Sequence, residues 1–313
     1  MRCPSRALRG FRGLGLGLGY WESLLFCGCH AGVTYCVMRR GLDAQDPGAG
    51  GGFRILAAVL FMPHAVGASA LAVVLAALVG LVIGSHLATV ALRWPAGRSA
   101  AAGRSACDGC ERTLRWWELV PLLSWAALRG RCRRCGAPID VRHPLTEVTA
   151  ALIAVLMMLC LPLPAAVAGM ALGWTLLLLT LLDLDHYWLP DRLTLPLLAG
   201  GLAVAWWGIG PALDVRVIGA VAGWGTLALV SWVYRRARGR VGLGGGDPKL
   251  FGAIGAWVGW PMLPTMLLIA SASGLAIVLA ARLAGRRMTA ATRVPFGPML
   301  AFAAVAGWMI VNR

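Results

Sequence analysis

Asp183, Asp185 and Asp191 fall within nine positions of the stretch LLDLDHYWLPDRLTLPLL, between runs of leucine suited to lipid. A fourth aspartate, Asp247, follows three consecutive glycines in GLGGGDPKLFGAIGAWVGW. A carboxylate in or at the end of a membrane helix is expensive and is by default a functional hypothesis. For Asp183 alone the bland reading is a helix-terminal charge hydrated at the interface. A pair supports more chemistry. When two carboxylates share a partly apolar site, repulsion and desolvation raise one pKa, leaving one ionised and one protonated near neutral pH. The ionised member draws a proton from water, which attacks a carbonyl; the protonated member donates to the carbonyl oxygen and then to the leaving amine. Such a site needs no serine or cysteine nucleophile. Gly244, Gly245 and Gly246 weaken a helix but let another backbone come close to Asp247, as a peptide-cutting site in or near a membrane requires.

The cysteines suggest a second, separate chemistry. Cys107-Asp-Gly-Cys110 and Cys132-Arg-Arg-Cys135 are separated by 21 residues, close to the spacing of a four-thiolate zinc ribbon. Each pair forms a knuckle aimed at one ion, with Gly109 and Gly136 expected to supply the tight turns. The competing reading is reduced thiols or two local disulfides. Four thiolates leave no open coordination position, so the expected Zn2+ is structural.

The elements that must position these groups are membrane helices. Of the 313 residues, 59% are hydrophobic and only 13% charged, and the mean hydropathy is +0.74, far outside the range of a soluble domain. A crossing helix takes about 20 apolar residues. Runs of that kind occur at about 67–92, 145–161, 164–182, 193–209, 216–234, 249–260, 262–283 and 296–311. The expected fold is therefore all-α and polytopic, with about eight transmembrane helices and a small tetra-Cys insertion, 95–144, between the first (62–94) and the second. Residues 145–313 would then form a multi-span core.

The basic residues are 28 Arg and the single Lys249, giving a formal charge of +16. The Arg skew fits a GC-rich coding sequence better than phosphate recognition, so no nucleic acid partner is expected. Arginines cluster in 93–144, 235–240 and 282–293, whereas the alternate connections near 161–164, 208–216 and 260–262 hold one between them. By the positive-inside rule the basic loops are cytoplasmic. The Cys module then lies in a reducing compartment, which disfavours disulfides. The loop 183–192 and Asp247 reach the same face. Residues 1–61 are rich in Gly and Arg and end in the linker-like GLDAQDPGAGGGF; Met62 opens what reads as a first membrane span. The expectation is a poorly ordered extension with the true start near Met62.

In these motifs the sequence resembles the bacterial type IV prepilin peptidases, the leader peptidase and N-methyltransferase family of GxGD aspartyl proteases. The resemblance runs from about Met62 to the C-terminus. It is carried by Gly84-Ser85 and Arg93, the tetra-Cys module with RWWELVPLLSWAALRGRCRRCG, then RHPLTE, DLDHYWLPDRLTLP, GGGDPKLFGAIGAWVGW and VPFGPMLA. It implies that Asp183 and Asp247 are the catalytic pair, with Asp185 and Asp191 in supporting or loop-capping roles. Lys249 would hold the Asp247 loop or meet a substrate carboxylate. It further implies methyl transfer from S-adenosylmethionine at the cytoplasmic module, for which Glu118 and the Gly130 turn are candidates. The implied substrates are prepilins or pseudopilins, cut after a Gly where a basic leader meets an apolar helix. The implied setting is the bacterial inner membrane, with the active site facing the cytoplasm. One departure is GSHLATV where the family reads GSFLNVV: His86 and Ala88 replace an aromatic residue and an Asn.

Three alternatives remain at this point. One is a peptidase without methyltransferase activity, and another a non-enzymatic zinc-ribbon scaffold that leaves both aspartates unused. The third is a proton-coupled transporter, whose carboxylates belong nearer the midplane.

Overall fold

The computed structural model describes residues 27–30, 33–36, 68–99, 105–240, 242–286 and 294–313. The chain divides into two compact units, Met1–Phe61 and Met62–Arg313. In the first, strands β1 (Cys27–His30) and β2 (Val33–Cys36) pair antiparallel, with Cys27 opposite Cys36. The rest of 1–61, including the expected linker, lies outside the described residues, as does Met62.

The second unit is helical. Helices α1 (Ala70–Arg93), α3 (Arg142–Cys160), α4 (Leu163–His186), α5 (Asp191–Trp206), α6 (Leu213–Arg238), α7 (Gly246–Val258), α8 (Leu263–Leu283) and α9 (Gly297–Val311) follow the eight apolar runs in order. The five-residue α2 (Leu123–Ala127) lies inside the Cys module. Five of the helical stretches are long and apolar enough to cross a membrane: α1, α3, α4, α6 and Trp260–Leu283, which contains α8. Helices α5, α7 and α9 have 16, 13 and 15 residues, short of the roughly 20 that a straight crossing takes. For α7 the surroundings explain the length. Every residue from Leu250 to Val258 is buried, as are Asp247 and Pro248, so this helix is wrapped by protein rather than by lipid.

Small residues let the helices approach. Ala76, Gly80, Gly84 and Ala88 recur every fourth residue along the buried face of α1, the small-xxx-small pattern of membrane helix pairs. A Cβ on Gly80 would lie 2.6 Å from the Ala151 Cα, and one on Gly84 2.6 Å from the Glu147 Cα, so α1 and α3 touch backbone to backbone. His86 projects from the exposed side of α1, away from that stripe. Indole N–H groups tie the core together where no water can serve. Trp308 Nε1 donates to the Ala165 carbonyl at 3.0 Å, Trp174 to Ala150 at 3.0 Å and Trp257 to Leu197 at 2.8 Å.

Arg216, the lone arginine of the alternate connections, is fully buried. Its guanidinium donates to the carbonyls of Pro211 (2.8 Å), Gly201 (2.6 Å) and Ile209, and approaches Ala256 at 3.5 Å. It also lies 5.7 Å from the Trp308 ring centroid. The exception to the charge pattern is thus an internal staple joining the α5–α6 turn to α7 and α9.

Candidate active site

Asp183 stands one turn before the end of α4, where the chain stops at Tyr187. Tyr187 takes a left-handed conformation (φ 51°), and its N–H caps the Asp183 carbonyl. The Asp183 side chain is buried, and its Oδ2 accepts the N–H of Gly297, the first residue of α9, at 2.9 Å. A Cβ at position 297 would lie 2.6 Å from that oxygen, so only glycine leaves the carboxylate its place. Asp247 enters from the other direction, in the first turn of α7. It too is buried, and its Oδ2 accepts the Gly244 N–H at 2.9 Å. The glycine run thereby serves as a donor loop for the carboxylate it precedes. Helix α9 packs against both α4, which carries Asp183, and α7, which carries Asp247. Two buried acids that share a site and hold only one backbone donor each retain lone pairs for a water and a carbonyl.

The neighbouring charges brace this pair. Lys249 Nζ meets both carboxylate oxygens of Asp191 at 2.8 Å, joining the first turns of α5 and α7. Of the two roles expected for Lys249, this is the one that holds the Asp247 loop. Asp185 pairs with Arg142, linking the end of α4 to the start of α3. Trp94, which ends α1, packs edge-on against Trp188 with centroids 5.2 Å apart. Sequence reasoning quoted VPFGPMLA without assigning Gly297 a role, and it missed Arg142; only side-chain geometry reveals either.

The four cysteines of the module come together as expected. Their sulfurs all lie within 4.8 Å of one another, and none is disulfide-bonded. Cys107 Sγ and Cys135 Sγ are 3.8 Å apart, the edge of a tetrahedron with bonds of about 2.3 Å, as for thiolate on zinc. Each knuckle is closed by one isolated bridge, Ala106 with Thr113 and Arg131 with Pro138. The backbone groups of Cys135 and Arg134 hold the Cys132 thiol below its ordinary range, whereas burial and the neighbouring sulfurs push Cys135 up, so the sulfurs are close enough to compete for protons. The turns differ from expectation in one respect. Gly136 has φ +71°, but the equivalent position of the first knuckle is Glu111 (φ 53°). Gly109 is instead needed for space, because a Cβ there would come within 2.8 Å of the Ala137 Cβ.

A cavity of about 180 Å³ separates the module from α1 and α3, lined among others by Ser85, Arg93, Glu118, Trp125, His143 and Glu147. Glu118 is engaged twice. Arg112 grips it through both guanidinium nitrogens (2.7 and 3.1 Å), and the Arg115 N–H donates to it at 2.8 Å. The Arg112 contact holds the Glu118 carboxyl below its ordinary range. Gly130, with φ +67°, closes the turn after α2 and lies against the Trp125 indole. The Trp125 Nε1 is buried without a hydrogen-bond partner, an orphan donor in the wall of the cavity.

Comparisons with known proteins agree with this architecture. Residues 78–161 match the Bacterial Peptidase A24 N-terminal domain, and residues 170–279 match the Type IV leader peptidase family. Among similar proteins is a prepilin leader peptidase/N-methyltransferase of Burkholderia pseudomallei (strain 1026b), 46% identical over 208 residues, covering 66% of this chain and 67% of that one. The enzyme of the same name from Aeromonas hydrophila is 44% identical over 66% of this chain and 70% of its own. That of Pseudomonas aeruginosa is 38% identical over 74% and 87%. No solved structure matches. With the aspartate-bearing and Cys-module segments matched in order, and identities of this size over two thirds or more of the relatives' lengths, the chain belongs to the type IV leader peptidase family.

Proposed function

We propose that this chain is an aspartyl endopeptidase that removes the leader of prepilins or pseudopilins at the cytoplasmic membrane face, and that it then N-methylates the new N-terminus. The observation that carries the peptidase reading is the buried pair Asp183 and Asp247, each fixed by a single backbone N–H from a distant or glycine-rich segment. One carboxylate, ionised, removes a proton from a water held between the two. That water adds to the scissile carbonyl while the other, protonated, donates to its oxygen. As the gem-diol intermediate collapses, the carboxyl that took the water's proton gives it to the leaving nitrogen, the C–N bond breaks, and a gem-diol hydroxyl returns its proton to the other carboxylate as the product carbonyl forms, restoring one shared proton. The relatives' names supply the substrate class; the arginine distribution supports the side. An eight-pass count, with α5, α7 and α9 as short crossings, puts both aspartates on that face.

Cys107, Cys110, Cys132 and Cys135 would hold a structural Zn2+; with four protein ligands it leaves no position for substrate. S-adenosylmethionine, when bound, supplies the methyl group. The cavity beside the module suits it by its mixed acidic and aromatic walls and by the unpartnered Trp125 N–H. In this reading Glu118 and Gly130 shape that wall, Glu118 through its grip on Arg112 and Gly130 by seating Trp125. The scaffold alternative gives no reason for two buried carboxylates on backbone donors. The transporter alternative wants them near the midplane, whereas Asp183 is one turn from the end of α4.

The test is cleavage of a co-expressed prepilin from the same genome, followed by intact mass. Wild type should yield a product lacking the leader and carrying one methyl, and Asp183→Asn or Asp247→Asn should yield uncut prepilin. Leader loss without the methyl would leave a peptidase alone. A well-expressed wild type that processes nothing would overturn the reading.

A further inference from the structure

Glu147 is a buried carboxylate that the peptidase chemistry leaves unused, and its depth along α3 says where part of the Cys module must sit. Helix α3 has 19 residues, about 28 Å at 1.5 Å per residue, so nearly all of it is needed to cross roughly 30 Å of hydrocarbon. Glu147 is the sixth residue of α3, about 8 Å below its cytoplasmic end. Helix α1 gives a consistent depth. Gly84 abuts Glu147, and α1 runs nine residues further to Arg93, about 13 Å. Yet Glu147 Oε2 accepts a hydrogen bond of 2.8 Å from the backbone N–H of Leu122, in the middle of the module.

We propose that residues 116–128 form a re-entrant hairpin inserted into the membrane leaflet at which α1 ends and α3 begins, its occupant being the lipid itself. The tip, Leu122–Leu123, reaches acyl-chain depth. Leu123 is 70% exposed, Trp116 75% and Leu119 43%, large apolar side chains left uncovered by the protein. Arg115 lies on one side of the segment and Arg129 and Arg131 on the other, where they would meet anionic headgroups, with the tryptophans at the interface.

The backbone supports the same conclusion. Non-helical chain at membrane depth must satisfy its own polar groups. Here Ser124 N–H bonds to the Val120 carbonyl, Ala126 to Leu122, Leu128 to Ser124 and Gly130 to Trp125. The N–H of the strained Leu122 (φ 58°) is the one that Glu147 takes up. The carboxylate is thus the acceptor that lets the chain reverse within the bilayer. The inference stands apart from the peptidase reading, since it needs only the helices and the module.

The test uses the full chain, reconstituted in vesicles of mixed zwitterionic and anionic phospholipid, with an environment-sensitive fluorescent amino acid at position 123 or, as control, at the exposed Arg134. The Leu123 side chain is on the surface, so the probe leaves the packing intact. A nitroxide placed on the lipid acyl chain should quench the 123 probe about threefold more than the 134 probe, as expected for burial some 5–10 Å into the leaflet. Equal quenching at both sites would overturn the proposal. So would blue-shifted emission at 123 without quenching, which would mean that protein, such as a second copy, covers the tip.

Discussion

The N–H of Gly297 reaches Asp183 across 114 residues of sequence and holds its Oδ2 at 2.9 Å. In the proposed mechanism this bond makes α9 part of the active site although it carries no acid of its own. Gly297→Ala would put a methyl group 2.6 Å from that oxygen and displace the carboxylate by a fraction of an ångström or more. Cleavage should fall about 100-fold, since misplacement of a reacting group by about 1 Å has that effect. Helix α9 itself should be unharmed, because alanine is a better helix former than glycine. Initial rates on a prepilin substrate, set against equal amounts of folded protein, check this; a variant as active as wild type would detach α9 from the site.

The Lys249–Asp191 pair is half exposed on both sides, so its direct worth is small, about 0–1 kcal/mol after screening. Its importance is positional, because it ties the first turn of α7, which carries Asp247, to the first turn of α5. Lys249→Ala should lower cleavage by less than about tenfold, and by less still at high ionic strength, where salt already screens the pair. Exchanging the two charges, Lys249→Asp with Asp191→Lys, should recover part of the loss. If the exchange is worse than either single change, the lysine acts on substrate instead of on Asp191.

Much of this site was legible in the sequence because its parts obey strong local rules. Membrane span length, alternation of basic loops and C-x-x-C spacing each depend on a few adjacent residues. Thus Asp183, Asp247 and the four cysteines could be named before any coordinates, and the sulfurs do converge. What could not be read were contacts between residues far apart in sequence: Gly297 with Asp183, Arg142 with Asp185, Leu122 with Glu147. Hydropathy also marked α7 as a possible crossing of 249–260. It could not distinguish a short helix wrapped by protein from one facing lipid, since both are apolar all round. Similarly, the family resemblance pointed to Glu118 for the methyl-transfer half, but its bidentate partner Arg112 becomes visible only in the fold.

The Cys cluster and the aspartate pair are built by different elements, so they should fail separately. Cys132→Ser removes the most buried of the four clustered cysteines, the proposed zinc ligands. The purified protein should lose its zinc, measured by elemental analysis, since a serine hydroxyl does not replace a thiolate on this metal. Leader cleavage should stay within about fivefold of wild type, whereas the methyl increment on the product should disappear, because the cavity shares Cys107 and Cys132 with the metal site. Equal loss of both activities would mean that the module also supports the aspartates, with the Arg142–Asp185 pair as the connecting contact.

Arg216 gives the sharpest stability prediction. It is buried with no carboxylate partner among the described residues, and its charge is compensated by backbone carbonyl dipoles at Pro211, Gly201 and Ile209 and by the Trp308 ring. Arg216→Leu removes the donors and leaves those carbonyls buried and unpaired, at about 1–3 kcal/mol for each that finds no water. The melting temperature of the detergent-purified protein should drop accordingly. Arg216→Lys should recover little of it, because a single ammonium cannot span acceptors that the guanidinium fork reaches from three nitrogens. Below the melting transition, cleavage by Arg216→Leu should be close to wild type, since the staple joins the helix ends remote from Asp183 and Asp247. An unchanged melting temperature in the leucine variant would show that the carbonyls find other partners and that the arginine holds nothing together.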